Sequence, residues 1–325
     1  MNQVRLLGPA EAGQFPAVFR EVFGGDISAA MIDWKYGGER GRQYGVVSED
    51  GRLVAHCGIT FRDALVEGRP RRIAQLGDLL GVRHKPGGLA RRGSPFGLLI
   101  AHVLDHVTTT ENPDALTFGF PSITANRLIE RLQLGFSLNV INELSFHARP
   151  PPAGALRLWL APRCRRIEPE GGAGFERLVA PLWRAMARDF ESGILGLRDA
   201  AYLRRRYLSH PEFAYEVYRV STPWGRTMGL LVCKRSGREL ELMDLVAPLH
   251  AMPACVRALQ SALPSLDADV VKLWLTDRHS ERFAPDAAAI APLQFHQMVN
   301  HNSSGGQLER FKGRWWLTSG DTDYR

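Results

Sequence analysis

Two stretches of the chain carry the same succession of apolar and polar positions. In the first, "AAMIDWKYGGERGRQYGVVSEDGRLVAHCGI" leads on to "RIAQLGDLLGV"; in the second, "AAYLRRRYLSHPEFAYEVYRVSTPWGRTMGLLVCKR" leads on to "RELELMDLVAP". Tyr36 and Tyr44 are eight positions apart, as are Tyr207 and Tyr215. A Gly-Arg turn, Gly51-Arg52 or Gly225-Arg226, separates two apolar runs in each copy. A later run carries one acid among leucines, Asp78 or Asp244, and "ALTFGF" at 115–120 is answered by "VVKLWLT" at 270–276. An ordered series of matches this long marks an internal repeat.

Each copy reads as a short helix, a hairpin of alternating strands, a longer apolar strand, a second helix and a further strand. In the first copy the second helix is expected at 96–107, "FGLLIAHVLDHV", where apolar residues recur at spacings of three and four. The predicted class is α/β, of the α+β mixed-sheet kind: two domains, each a mixed, mostly antiparallel sheet flanked by helices. The length of 325 residues fits two domains, 1–150 and 151–325. The prolines of "RPPPAGA", 149–155, stiffen the boundary.

No charged-then-apolar leader opens the chain, and no apolar run reaches the roughly 18 residues of a membrane span, so a cytoplasmic protein with no membrane span is expected. Cys57, Cys164, Cys233 and Cys255 are widely separated, which argues for free thiols over a metal site or a disulfide framework. The net charge of +7 permits an anionic partner. Only Lys35, Lys85, Lys234, Lys272 and Lys312 are lysines among 41 basic residues, so the charge reflects a chain-wide arginine bias.

Chemistry concentrates in "GDLLGVRHKPGGLARRGSP", 77–95, a strand, a glycine-bearing basic loop and a helix start. Backbone N–H groups of such a loop converge with a helix N-terminus to favour phosphate. Gly87, Gly88 and Gly93 allow close approach, Arg83, Lys85, Arg91 and Arg92 offer donors, and Ser94 and Pro95 suit a helix cap and first turn. A solvated basic turn is the alternative. Neither a dinucleotide-binding glycine pattern nor a P-loop is present.

The window Ala90-Arg91-Arg92-Gly93-Ser94-Pro95 resembles the acyl-CoA pyrophosphate loop of the GNAT acyltransferases, Q/R-x-x-G-x-G/A, keeping the central glycine and departing at Ala90 and Pro95. "FGFPSITANRLIERLQLGF", 118–136, resembles that family's fifth strand and following helix through Asn126 and Leu134-Gly135-Phe136, and "EDGRLVAHCGI" resembles its strand hairpin. The likeness covers about residues 4 to 147. The second half is similar in pattern only, and "VAPLHAMPACVRALQ" after Asp244 has no glycine and one arginine. The resemblance therefore implies two GNAT-like domains in tandem. One acyl-CoA site lies in the first, with Leu80, Val82, Arg91, Arg92, Gly93, Ser94 and Asn126 as binding candidates, and a degenerate second domain shapes the acceptor pocket.

Transfer of an acyl group from a thioester to an amine needs a proton acceptor for the amine and donors for the developing oxyanion. The resemblance places the thioester carbonyl on a fourth-strand N–H near Leu80 or Gly81, and Asp78 on that strand is the candidate base. Burial in an apolar strand is expected to raise its pKa. A bracing carboxylate is the alternative, favoured by Asp244 at the equivalent place. Glu143 is a second carboxylate candidate; Tyr36 and His56 are candidates for the acceptor side, with core packing the competing role. The family's leaving-group tyrosine falls on Arg131. The three arginines at 204–206 read as a solvated helix face; of Trp315 and Trp316, near Asp321 and Asp323, opposite faces would let one pack and one line a pocket, with core packing the favoured role.

The function implied is acyl-CoA-dependent N-acyl transfer, of the N-acetyltransferase kind, with acetyl-CoA or another acyl-CoA as donor, no metal, and direct attack in a ternary complex. A small-molecule amine is the expected acceptor, an amino sugar or nucleotide sugar by analogy; a nucleic-acid partner is not expected. A GNAT-fold binding protein without catalysis, or a Fem-type aminoacyl transferase, are the competing readings.

Overall fold

The computed structural model describes residues 3–82, 93–106, 116–150, 159–169, 172–300 and 308–322. The chain forms two compact units, Met1–Ala64 with Arg71–Asn139 and Gln294–Lys312, and Leu65–Pro70 with Val140–Leu293 and Gly313–Arg325.

The first unit begins with β1 (Gln3–Leu6) and three short helices, α1 (Pro9–Ala12), α2 (Phe15–Phe23) and α3 (Ala29–Tyr36). There follow β2 (Gly41–Val47), β3 (Leu53–Val66), β4 (Arg69–Gly81), α4 (Pro95–His106), β5 (Thr117–Gly119), α5 (Ile123–Arg131) and the start of β6 (Gly135–His147). Its sheet runs in the order β1-β2-β3-β4-β5, with residues 298 and 299 of the late strand β13 (Ala289–Asn300) beside β5. Pairing is antiparallel except where β4 meets β5: Ala74, Gln75 and Leu76 lie parallel to Thr117, Phe118 and Gly119. A parallel pair needs a crossover, and α4 occupies it.

Helix α4 begins where the spacing predicts. The Ser94 hydroxyl accepts from the Gly97 N–H at 3.0 Å, and Pro95 takes the first turn. Leu99 and Val103 enter the core of β2, β3 and β4, while Phe96, Ile100 and Leu104 pack with Ile129 and Met298. Each fully buried side chain of this kind stabilises the helix by about 1.5–3 kcal/mol, far more than helix propensity supplies.

The second unit has β7 (Arg163–Ile167), α6 (Ala173–Asp189), β8 (Ile194–Gly196), α7 (Ala200–Leu203), β9 (Tyr215–Ser221), β10 (Thr227–Ser236), β11 (Glu239–Val246), α8 (Met252–Ala262), β12 (Val270–Thr276), the turn α9 (Asp277–Ser280) and β14 (Trp315–Trp316). Residues 141–147 of β6 pair with β12, and the order continues β12-β11-β10-β9-β7. Here too the only parallel neighbours in that series, β11 and β12, are bridged by a helix, α8. Helix, hairpin, strand, helix and strand thus succeed one another in the same order in each unit.

One expectation fails here, that of the arginine face, and for the two tryptophans core packing prevails over pocket lining. Arg204–Leu208 is a π-helical turn, and Arg206 is buried, donating to the carbonyls of Gly320 and Thr322 at 3.0 and 3.2 Å; it ties the chain end and does not form a solvated face. Trp315 and Trp316 are both buried, because β14 pairs with β8 and is covered on both faces. Asp321 caps the following turn through the Thr318 N–H at 2.9 Å and pairs with Arg198; Asp323 lies outside the described residues. All four cysteines are free thiols.

Candidate active site

In the first unit the site is built on the last turn of α3 and the end of β4. Ser28 caps α3 by accepting from the Met31 N–H at 3.1 Å, and the Gly37 N–H closes the helix on Asp33 at 2.7 Å. That frame delivers Lys35 and Tyr36, adjacent on the chain, to a single carboxylate. Lys35 Nζ lies 2.6 Å from Asp78 Oδ2, and the Tyr36 hydroxyl donates to the same oxygen. Lys35 is 3% exposed, so its ammonium is withdrawn from water against the Asp78 carboxylate.

Glycine makes the approach possible. A Cβ at Gly58 of β3 would overlap the Tyr36 hydroxyl. Asp78 itself sits at φ 46°, a left-handed conformation that aspartate tolerates better than most residues. His56 fixes that backbone: its Nδ1–H donates to the Asp78 carbonyl at 2.9 Å, Nε2 faces the Gln43 amide at 3.3 Å, and Phe15 stacks on the ring at 3.9 Å.

The electrostatics correct one expectation. Burial does raise the pKa of Asp78, but the Lys35 ammonium and the Lys35 and Tyr36 hydrogen bonds outweigh it and hold the carboxyl below its ordinary range. Asp78 is therefore ionised at neutral pH. Burial pushes His56 down to about 4, so the ring is neutral and acts as a donor to the backbone.

The second unit repeats the motif in a harder form. The Tyr207 hydroxyl donates to Asp244 Oδ2 at 2.9 Å, and Arg198 donates to Asp244 Oδ1 at 3.1 Å. Arg198 and Asp244 are both fully buried, and Arg198 also binds Asp321. A Cβ at Gly320 would overlap the Tyr207 hydroxyl, as one at Gly58 would that of Tyr36.

Of the candidates for catalysis, Asp78 and Tyr36 come together, with His56 beside them. Glu143 lies in the other unit on β6, accepting from Trp274 Nε1 at 2.9 Å with Lys272 at 4.0 Å. Lys35 escaped the sequence reading. Its signal was there: a lysine in an arginine-rich chain, one position from a tyrosine that the repeat singles out.

Among the candidates for binding, Leu80 is buried in the core with Tyr36 and Phe15, and the Val82 N–H donates to Val54 at 2.9 Å. Val82 also lines a cavity of about 230 Å³ with Gln14, Val18, Glu21 and Arg52, below the size that usually encloses a whole ligand. Gly93 is exposed, and a side chain there would meet nothing within 4 Å. Ser94 is the cap of α4, and Asn126 on α5 donates to Ser137 at 3.0 Å. Arg91 and Arg92 lie outside the described residues. β4 runs on to Gly81, past its last pair with β5 at Leu76, so among the described pairings the residues beyond have no neighbouring strand on that side. No group of three or more metal-ligating side chains occurs among the described residues, and no described helix is long and apolar enough to cross a membrane.

No family model matches the chain, and no curated protein sequence matches it. Solved structures do. A protein from Enterococcus faecalis V583 described as a probable N-acyltransferase is 12% identical, with TM-score 0.68 over 95% of this chain and 75% of that one. A GCN5-related N-acetyltransferase from Kribbella flavida is 20% identical, with TM-score 0.64 over 94% and 73%. The N-myristoyltransferase of Saccharomyces cerevisiae, solved with bound myristoyl-CoA, is 10% identical, with TM-score 0.57 over 93% and 82%. At these identities the likeness is one of architecture, and the architecture, a mixed and mostly antiparallel sheet flanked by helices, is the GNAT fold.

Proposed function

We propose that the protein is an acyl-CoA-dependent N-acyltransferase, of the N-acetyltransferase kind, with two GNAT-like domains in tandem: the first holds acyl-CoA, and the second shapes the pocket for a small amine acceptor. The carrying observation is the edge of β4 beyond Leu76, followed after the loop by the capped N-terminus of α4. A strand edge offers N–H groups to a thioester carbonyl, and a helix N-terminus favours a pyrophosphate. Leu80 and Val82 belong to the strand end; Gly93 and Ser94, with Arg91, Arg92 and Asn126, are assigned to the cofactor side. An acyl-CoA donor also fits the myristoyl-CoA complex of the yeast structural neighbour.

Reaction requires a neutral amine beside the carbonyl. As the C–N bond forms and the C–S bond breaks, the amine proton passes to the ionised Asp78 carboxylate, directly or through a water, and the departing thiolate takes a proton from solvent, Arg131 standing where a tyrosine acid would. Tyr36 and Lys35 hold Asp78 in place. Glu143 is assigned to the acceptor side, where its charge suits an ammonium group.

One observation favours a second reading. The bond of Tyr207 to a fully buried Asp244 supports a bracing role for the motif, and an Asp78 held low by Lys35 suits that role as well. The protein is then an acyl-CoA-binding protein without transfer. Amine-dependent release of free CoA thiol from acetyl- and longer acyl-CoA, across a panel of small amines and amino sugars, separates the two. Release that Asp78→Asn slows at unchanged acyl-CoA affinity supports transfer; binding with no release under any amine supports the second reading.

A further inference from the structure

The second unit carries an exposed aromatic patch that neither reading uses. Trp224, at the tip of the turn between β9 and β10, is 71% exposed, and Trp159, ahead of β7, is 53% exposed. Their rings meet edge to face at 5.9 Å, and Leu160 adds a third exposed apolar side chain. The turn presenting Trp224 is firmly built. Arg219 donates to Thr227 Oγ1 at 2.9 Å and to the Gly225 carbonyl, the Arg226 N–H donates to Thr222 Oγ1 at 3.2 Å, and Gly225 supplies the positive φ of 83°. The patch is held out by structure.

Beside it stand cations without acidic partners among the described residues, Arg163 lying opposite Ser221, where the Trp224 turn begins. β7 is the last strand in its order, and Arg163 and Arg165, two apart, share a face of it. Both are exposed, as is Arg226 beside Trp224, and none of the three side chains makes an ion pair among the described residues. Arg166, on the opposite face, is paired with Glu168 and Glu216. The unpaired charge is therefore confined to the side that alternates with the paired one.

Indole rings and a leucine seek the boundary between apolar and aqueous phases, and arginines beside them seek anionic headgroups. We propose that the face formed by Trp159, Leu160, Trp224, Arg163, Arg165 and Arg226 docks the protein on an anionic lipid bilayer surface. Trp159 and Trp224 enter the headgroup region while the arginines engage its charge. Single-stranded nucleic acid, which also recruits tryptophan and arginine, is the less fitting occupant: the two rings occupy one another edge to face, and Leu160 offers nothing for a base to stack on.

Co-sedimentation and tryptophan emission of the full chain with vesicles of phosphatidylcholine and phosphatidylglycerol, against phosphatidylcholine alone, test this. Binding is expected only to the anionic vesicles and to weaken with salt. Arg163→Ser and Arg165→Ser are each expected to weaken it about fivefold, and Trp224→Ser to remove most of the blue shift in emission. Unchanged melting curves establish that the variants are folded, which the exposure of all these side chains favours. No binding to anionic vesicles, or equal binding by folded variants, overturns the proposal. Quenching by an unstructured oligonucleotide without vesicle binding overturns it in favour of nucleic acid.

Discussion

The Tyr36 hydroxyl donates to the Asp78 carboxylate across 42 positions of sequence, and Lys35 reaches the same oxygen from the neighbouring position. Tyr207 and Asp244 make the equivalent bond in the second unit. The two tyrosines should therefore share a structural role and differ in function. Tyr36→Phe and Tyr207→Phe are each expected to cost about 1–3 kcal/mol in urea unfolding, as lost hydrogen bonds to charged groups do. Only Tyr36→Phe should also lower turnover.

Lys35 and Asp78 should show strong coupling. Asp78→Ala removes the carboxylate that the buried Lys35 ammonium pairs with and is expected to destabilise by about 3–5 kcal/mol, whereas Lys35→Met with Asp78→Ala should recover a large part of that loss. A double-mutant cycle by denaturant titration measures the coupling. Additive losses would mean that the pair is not a buried ion pair in solution.

Stability should fall as pH drops from about 6.5 to about 4. His56 is held at about 4 in the folded protein and sits near 6.5 when unfolded, so in that window the unfolded chain binds the extra proton and stability rises with pH. The slope for one such group is about 1 kcal/mol per pH unit. Asp78 acts in a lower window: its folded pKa is depressed, so its contribution is present above about 4 and is lost as pH falls through the folded value. Urea midpoints at pH 7 and pH 5 check the first window, and His56→Gln should lessen the slope by one group's share, because burial also holds His210 and His279 at about 4.

Gly93 separates fold from ligand. A side chain there meets nothing within 4 Å, so Gly93→Val should change the melting temperature little, yet it should weaken acyl-CoA binding by obstructing the approach to the α4 N-terminus. His250→Val, an exposed change in the corresponding stretch after Asp244, should leave that binding intact. Equal losses at both positions would contradict a single cofactor site in the first domain.

Much of the architecture was legible in the sequence because the repeat and the two periodicities agree: the hairpins, the strands carrying Asp78 and Asp244, and the Ser94-Pro95 start of α4 all lie where the pattern puts them. Contacts set by tertiary structure were not. Lys35 and Asp78 are 43 positions apart, and no local pattern announces their pairing, which is what turned the expected rise in the Asp78 pKa into a fall. Alternation along a strand also loses meaning where both faces are covered, so Trp315 and Trp316 could not be told apart. Arg206 looked like a surface residue until the chain end gave it carbonyls to bind.

The central claim, one acyl-CoA site at the end of β4, is tested most directly by thermal unfolding in the presence of acetyl-CoA and of longer acyl-CoA thioesters. At about 100 times its dissociation constant a ligand bound only by the folded chain adds about 2.7 kcal/mol to stability. The account predicts such a rise for at least one thioester in the parent protein and its loss in Gly93→Val. An unchanged transition with every acyl-CoA at millimolar concentration would contradict it.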